Sequence, residues 1–181
     1  MRPNDRTQAG ATTVEFALTG TVLLMLVFGT LELGRLFLAW NSAQEVTRRA
    51  ARDAAVLGFY ALPYARNDAV LHPEAAGDSA AFPALGEITA ATVSIRFMSG
   101  PYGALMPAGT LPASAAQNQW NCSQGLSPCI TAVQATLCQP GSDPCQPLRY
   151  LPVGIPGLPL TLFLPLSPAT VPLEGAGAAS G

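Results

Sequence analysis

The hydrophobic pattern begins with sixteen consecutive residues lacking a formal charge, FALTGTVLLMLVFGTL at residues 16–31. At about 1.5 Å per residue they cover about 24 Å as a helix, slightly short of a hydrocarbon core of about 30 Å. The range 11–36 is an adequate span, but it takes in Glu15, Glu32 and Arg35. Past Asn41 the pattern becomes one-sided. Ala43, Val46, Ala50, Ala54 and Leu57 recur at spacings of three and four, which predicts an amphipathic continuation of the same helix. Arg48, Arg49, Arg52 and Asp53 take its other faces, and Gly58 is a plausible stop.

Further on, the period shortens to two. In TVSIRFM, residues 92–98, Val93, Ile95 and Phe97 share one face and Ser94 and Arg96 the other, as in a half-buried strand. ITAVQATL, residues 130–137, puts Val133, Ala135 and Leu137 on one face. LPLTLFLPL, residues 158–166, alternates leucines, but Pro159 and Pro165 restrict it to an edge or a broken strand. Residues 59–86 read as irregular with room for one short helix, and EGAGAASG at 174–181 as a disordered tail. The expected fold class is α+β. A long N-terminal transmembrane helix precedes a small, Pro/Gly-rich, mainly-β extracytoplasmic head, whose antiparallel sheet packs against residues 43–57. The predicted divisions are 1–10, 11–57, 58–173 and 174–181.

Composition sharpens this division. Sixteen of the seventeen prolines follow Gly58, so helix is confined mainly to the first part. Charged residues are 11% of the chain, lysine is absent and the net charge is −2. No global basic field attracts nucleic acid. The run of nine prolines within residues 139–172 interleaves with leucines, as rigid loop and edge strand do, rather than forming a solvated polyproline ligand. The Arg48, Arg49 and Arg52 cluster reads as a solvated helix face.

The charges near the apolar run need an explanation, since each costs roughly 2.5–3.5 kcal/mol at a bilayer centre. Glu32 and Arg35 lie one turn apart and can pair at the membrane exit. Glu15 has no such partner within its own helix. A cleaved secretory signal would need small residues just after the run, and RLFLAWNSAQE offers poor ones. A plain signal anchor, with Arg2 and Arg6 held inside, leaves Glu15 unexplained. A third reading accounts for it. The polar leader MRPNDRTQAG ends in glycine, and a helix follows with glutamate fifth and phenylalanine sixth.

This arrangement resembles the processing site of type IV prepilin-like proteins. VEFAL at 14–18, GTLELGRLF at 29–37 and the Ala/Arg-rich helix after Asn41 resemble the TadE-like pseudopilins of tight-adherence (Flp-type) pilus systems, over residues 10–56. Two features depart from common patterns. Ala11 stands where major pilins carry an aromatic residue, and Thr19-Gly20 where family members often carry proline. The resemblance implies a prepilin peptidase cutting between Gly10 and Ala11. Glu15 would then pair with the new Ala11 ammonium of a neighbouring subunit, and the pair would favour assembled subunits. It also implies an inner-membrane protein with a cytoplasmic N-terminus and a periplasmic head. Its expected partners are other pilins or pseudopilins, the inner-membrane assembly platform and the lipid bilayer. Thr13, Ala17 and Thr21 form a small-residue stripe suited to close helix approach, or common in any such helix.

Four cysteines, Cys122, Cys129, Cys138 and Cys145, are spaced C-x6-C-x8-C-x6-C. If residues 130–137 form a strand, Cys129 and Cys138 stand about 30 Å apart along it, and a disulfide tolerates Cα separations only to about 7 Å. Cys122–Cys129 and Cys138–Cys145 are therefore favoured. The crossed alternative, 122–138 with 129–145, stays open. Zinc prefers pairs two to four residues apart, which x6 does not supply. Asn121-Cys122-Ser123 matches a bare glycosylation pattern too short to weigh.

No catalytic motif appears. His72 is the single histidine and lies in a loop-like stretch, and Asp68, Glu74 and Asp78 lack calcium-loop spacing. No cofactor or metal is expected. The sequence reads as a non-enzymatic minor pseudopilin that enters the filament or primes it. The alternative is a single-pass envelope protein with an unprocessed anchor and a partner- or ligand-binding head.

Overall fold

The computed structural model describes residues 8–58, 61–99, 104–107, 109–153 and 162–173, with the side chains of the first helix described from Thr12. The chain divides into two compact units. One comprises Met1–Leu38 with Leu151–Leu160, the other Ala39–Tyr150 with Thr161–Gly181.

Helix α1 is continuous over Gln8–Leu57. No proline falls between Pro3 and Pro63, so nothing in that run removes a helical N–H. Gln8, Ala9 and Gly10 are already helical, so α1 starts before the expected Ala11. Gln and Ala are good helix formers and carry the helix backward. In the first unit, α1 exposes Val14, Phe16, Leu18 and Met25, each more than 60%. In the second, Ala43, Val46, Ala50 and Ala54 are fully buried, and Ala39, Ser42, Thr47, Ala51 and Ala55 widen the stripe. Leu57 departs from the expected stripe. It is 44% exposed, because the helix ends there and Gly58 N–H closes the last turn on Ala54 O at 3.2 Å.

The second unit continues with α2 at Leu62–Ala69, where Pro63 sits in the first turn and costs no hydrogen bond. A hairpin of β1 (Ala81–Phe82) and β2 (Leu85–Thr89) follows. A 3-10 turn at Ala90–Thr92 leads into β3, Val93–Met98. After α3 (Ala115–Ser123) comes β4, Ala132–Leu137. Short strands β5 (Arg149–Tyr150) and β6 (Leu162–Phe163) pair with each other, and β7 is Ala169–Pro172.

The main sheet is antiparallel, in the order β3-β4-β7. Ile95 opposes Ala135 and Phe97 opposes Val133, and all four are buried on the face that the alternation predicts. The proline-broken leucine run supplies a different element from the sheet's third strand. Only Leu162–Phe163 of it is extended among the described residues, while residues 158–161 lie outside them. Leu164 is buried, but Leu162 and Leu166 are exposed. The third strand is β7, an edge strand whose terminal Pro172 needs no ladder N–H. The expected tail and residues 1–7 of the leader also lie outside the described residues.

Both favoured disulfides are formed. Cys122–Cys129 and Cys138–Cys145 have Cα separations of 4.9 and 5.1 Å. They flank β4, one before it and one after. The two loops repeat one eight-residue pattern, CSQGLSPC and CQPGSDPC, or C-x-x-G-x-[S/D]-P-C. Gly125 and Gly141 occupy the same place in each and have φ of +65° and +74°, a region that disfavours any side chain with a Cβ.

Helix α3 is capped by Ser114, whose Oγ accepts from Gln117 N–H at 3.1 Å, while Gln117 Oε1 accepts from Ala113 N–H at 3.0 Å. Its buried face carries two asparagines. Asn118 clamps Ile130, donating to its carbonyl at 3.0 Å and accepting from its N–H at 2.7 Å. Asn121 donates to Pro128 O at 2.8 Å. Asn121 is only 7% exposed, which is incompatible with a glycan in the folded chain.

Asn118→Ala would leave two buried peptide groups unpaired, at about 1–3 kcal/mol each. Urea denaturation of the detergent-solubilised protein should show a loss of about 2–4 kcal/mol, against under about 0.5 kcal/mol for the exposed neighbour Gln119→Ala. Equal losses would remove the clamp's role.

Candidate functional site

The candidate site is the apolar stretch of α1. From Thr12 onward the helix is long and apolar enough to cross a membrane, and almost none of its most apolar window is buried. Three of its threonine hydroxyls are satisfied locally. Thr19 Oγ1 donates to Glu15 O at 2.9 Å, Thr21 Oγ1 to Ala17 O at 2.7 Å, and Thr30 Oγ1 to Val27 O at 2.8 Å. Such back-bonding removes the desolvation cost that a free hydroxyl would carry in lipid. Thr13, Ala17 and Thr21 are all exposed on one helix, as their spacing requires.

Glu15 is exposed, and among the described residues no cation lies within ion-pair distance of its carboxylate. The Gly10–Ala11 peptide lies in the first turns of α1, where N–H groups lack intrahelical partners and opening is cheapest. At the far end of the run, Arg35 Nη1 stands 3.8 Å from Glu32 Oε1 and donates to Leu151 O at 2.7 Å. The guanidinium thus joins a carboxylate one turn back to a carbonyl 116 residues away. The Leu151 contact has no local sequence signal.

The arginine-rich stretch of α1 is largely solvated. Arg49 Nε pairs with Glu45 Oε1 at 2.7 Å, and this hydrogen bond holds the Glu45 carboxyl below the usual carboxylate range. Arg48 and Arg52 are exposed and line a groove of ≈ 400 Å³ with Thr47 and Thr170.

Asp53 departs from the sequence reading. One of its carboxylate oxygens is buried without a hydrogen-bond partner. Burial, then a hydrogen bond and charge repulsion from Asp68 on α2, raise its pKa from 3.8 to about 6, with Arg49 opposing. Alanine periodicity placed Asp53 on the polar face, and nothing local showed that α2 would cover it with a second acid. His72 is exposed, and its backbone N–H donates to Asn67 O at 2.8 Å. Asp78 pairs with Arg66 at 3.8 Å. Among the described residues no three His, Cys, Asp or Glu side chains gather as a metal site.

Residues 10–52 match the family model for TadE-like proteins. The resemblance carried by VEFAL and GTLELGRLF is thereby borne out. The TadE-like segment takes in Gly10, Ala11, Glu15, Glu32 and Arg35, reaches into the second unit as far as Arg52, and ends before Asp53 and both disulfides. It points to a protein associated with the tight-adherence pilus, and with the exposed apolar helix it fits a membrane-anchored chain. No curated protein and no solved structure matches the chain.

The raised Asp53 pKa sets a pH signature for the second unit. A folded-state value of about 6 against an ordinary 3.8 means that folding takes up protons between these limits. Stability should fall as pH rises through about 4–6 and stay flat above. In thermal melts, Asp53→Asn should raise the midpoint at pH 7.5, and the gain should vanish toward pH 4. A pH-independent gain would contradict the half-buried acid pair.

Proposed function

We propose that the chain is a minor pseudopilin-like subunit in assembly of a tight-adherence pilus, cut by prepilin peptidase between Gly10 and Ala11. The carrying observation is Glu15, an exposed acid at the start of a membrane-competent helix, lying within the TadE-like match. Its own chain offers it no cation among the described residues. An unpaired carboxylate in lipid is costly, and a partner supplied by a neighbouring subunit removes that cost only on assembly.

In this reading the N-terminus lies in the cytoplasm, α1 crosses the inner membrane, and the disulfide-bonded unit faces the oxidising periplasm. The peptidase draws the Gly10–Ala11 turn into an extended strand, which glycine permits. The released Ala11 ammonium of one subunit receives Glu15 of another. The exposed Thr13, Ala17 and Thr21 stripe lets the two helices approach closely. The partners are the peptidase, other pilins or pseudopilins and the assembly platform. The role is assembly, not catalysis.

Breaking one side of a buried ion pair costs about 3–5 kcal/mol, more than a hundredfold in association. Glu15→Ala should therefore leave the protein in the membrane fraction while sheared pilus yield falls to background. Wild-type piliation by Glu15→Ala would favour an unprocessed envelope anchor whose head binds its own partner.

A further inference from the structure

We propose that Leu151 and Val153, where the chain enters the β5–β6 connection, form a second lipid contact at the bilayer's interfacial layer, beside the membrane exit of α1. This rests on the reading that α1 spans the bilayer.

Three observations converge on this. The first is chemical. Residues 151–166, LPVGIPGLPLTLFLPL, hold no charged residue, and Thr161 is the one polar side chain among them. Leu151 is 55% exposed and Val153 70%. Large apolar side chains so exposed, in a stretch so free of charge, mark a contact surface.

The second is positional. Leu151–Leu160 falls in one compact unit with Met1–Leu38, the part of α1 that carries the apolar run. The link is specific, because Arg35 Nη1 holds Leu151 O at 2.7 Å. Arg35 stands four residues past the end of the uncharged sixteen. Phe37 follows at 59% exposure and Trp40 at 40%. Exposed aromatics just beyond an apolar run mark the level where hydrocarbon meets headgroups. The Arg35 contact therefore places the Leu151 backbone at that level, continuous with the membrane face of the helix.

The third concerns the backbone. Non-helical chain is excluded from lipid because its N–H and C=O groups lose water. Pro152, Pro156, Pro159 and Pro165 remove four N–H donors from the sixteen residues. Leu151 and Val153 lie outside helix and strand, and such backbone keeps to water, so the contact is shallow. Side chains reach the acyl boundary while the backbone stays among the headgroups. A second copy of the chain would also cover an apolar surface, but the Arg35 link fixes this one at membrane level, where lipid is already present.

All four cysteines are paired, so one introduced cysteine is a unique thiol. Full-length protein carrying Val153→Cys is spin-labelled and reconstituted in dilute phosphatidylcholine–phosphatidylglycerol vesicles. Leu24→Cys on α1 reports the span, and Ala116→Cys on exposed α3 reports water. The proposal expects the Val153 label, like that at Leu24, to be several-fold less accessible to a water-soluble nickel chelate than the Ala116 label. It should be more accessible to oxygen and should lie shallower than Leu24. Leu151→Cys repeats the reading if Val153→Cys does not fold. A Val153 label as accessible as Ala116, with Leu24 protected, overturns the loop contact and leaves the span intact. An accessible Leu24 overturns both. Protection of Val153 that appears only at high protein-to-lipid ratio assigns the surface to a second copy and overturns the lipid contact.

Discussion

Backbone hydrogen bonding is the constraint on which the rest depends. A chain entering lipid must satisfy every N–H and C=O within itself, and one unbroken helix does so at least cost. The fifty residues of α1 meet this demand with no internal proline and with threonine hydroxyls turned back onto their own carbonyls. Once the backbone is settled, the side chains of the first unit are free to be apolar on every face. Glu15 then stands out as an exposed acid with no cation within ion-pair distance among the described residues. In the second unit the same helix narrows its apolar surface to a stripe of alanines, small enough for close packing and fully buried.

The disulfide-bonded unit solves a different problem. It has little charge, short strands and many prolines, so few long-range backbone ladders are available to it. Order is concentrated around β4, which pairs on both sides and is bracketed by two copies of one disulfide loop. Asn118 and Asn121 attach α3 to the chain just before that strand. The half-buried acid pair of Asp53 and Asp68 works against stability at neutral pH.

Much of this was legible in residue pattern, and the misses have physical causes. Period-two alternation located β3 and β4 with their buried faces, because burial on one side leaves a direct trace. Local ring closure made the disulfide pairing legible once β4 was read as extended. The short strand β7, with a proline at its end, carries no periodicity to find. Helix α3 does carry a local signal, the cap formed by Ser114 and Gln117, and the two disulfide loops carry another in their repeated C-x-x-G-x-[S/D]-P-C pattern. By contrast, the Arg35–Leu151 contact and the Asp53–Asp68 pair join distant residues and have no local signature. On α1, Glu15 draws notice in the sequence because a carboxylate is odd for a membrane helix.

The central claim is that this helix is delivered to the membrane as a processed pilin-type subunit. The N-terminus of the membrane-bound protein, read by mass spectrometry from cells containing the peptidase, tests it most directly. The account predicts a chain beginning at Ala11. A chain beginning at Met1 under the same conditions would contradict it.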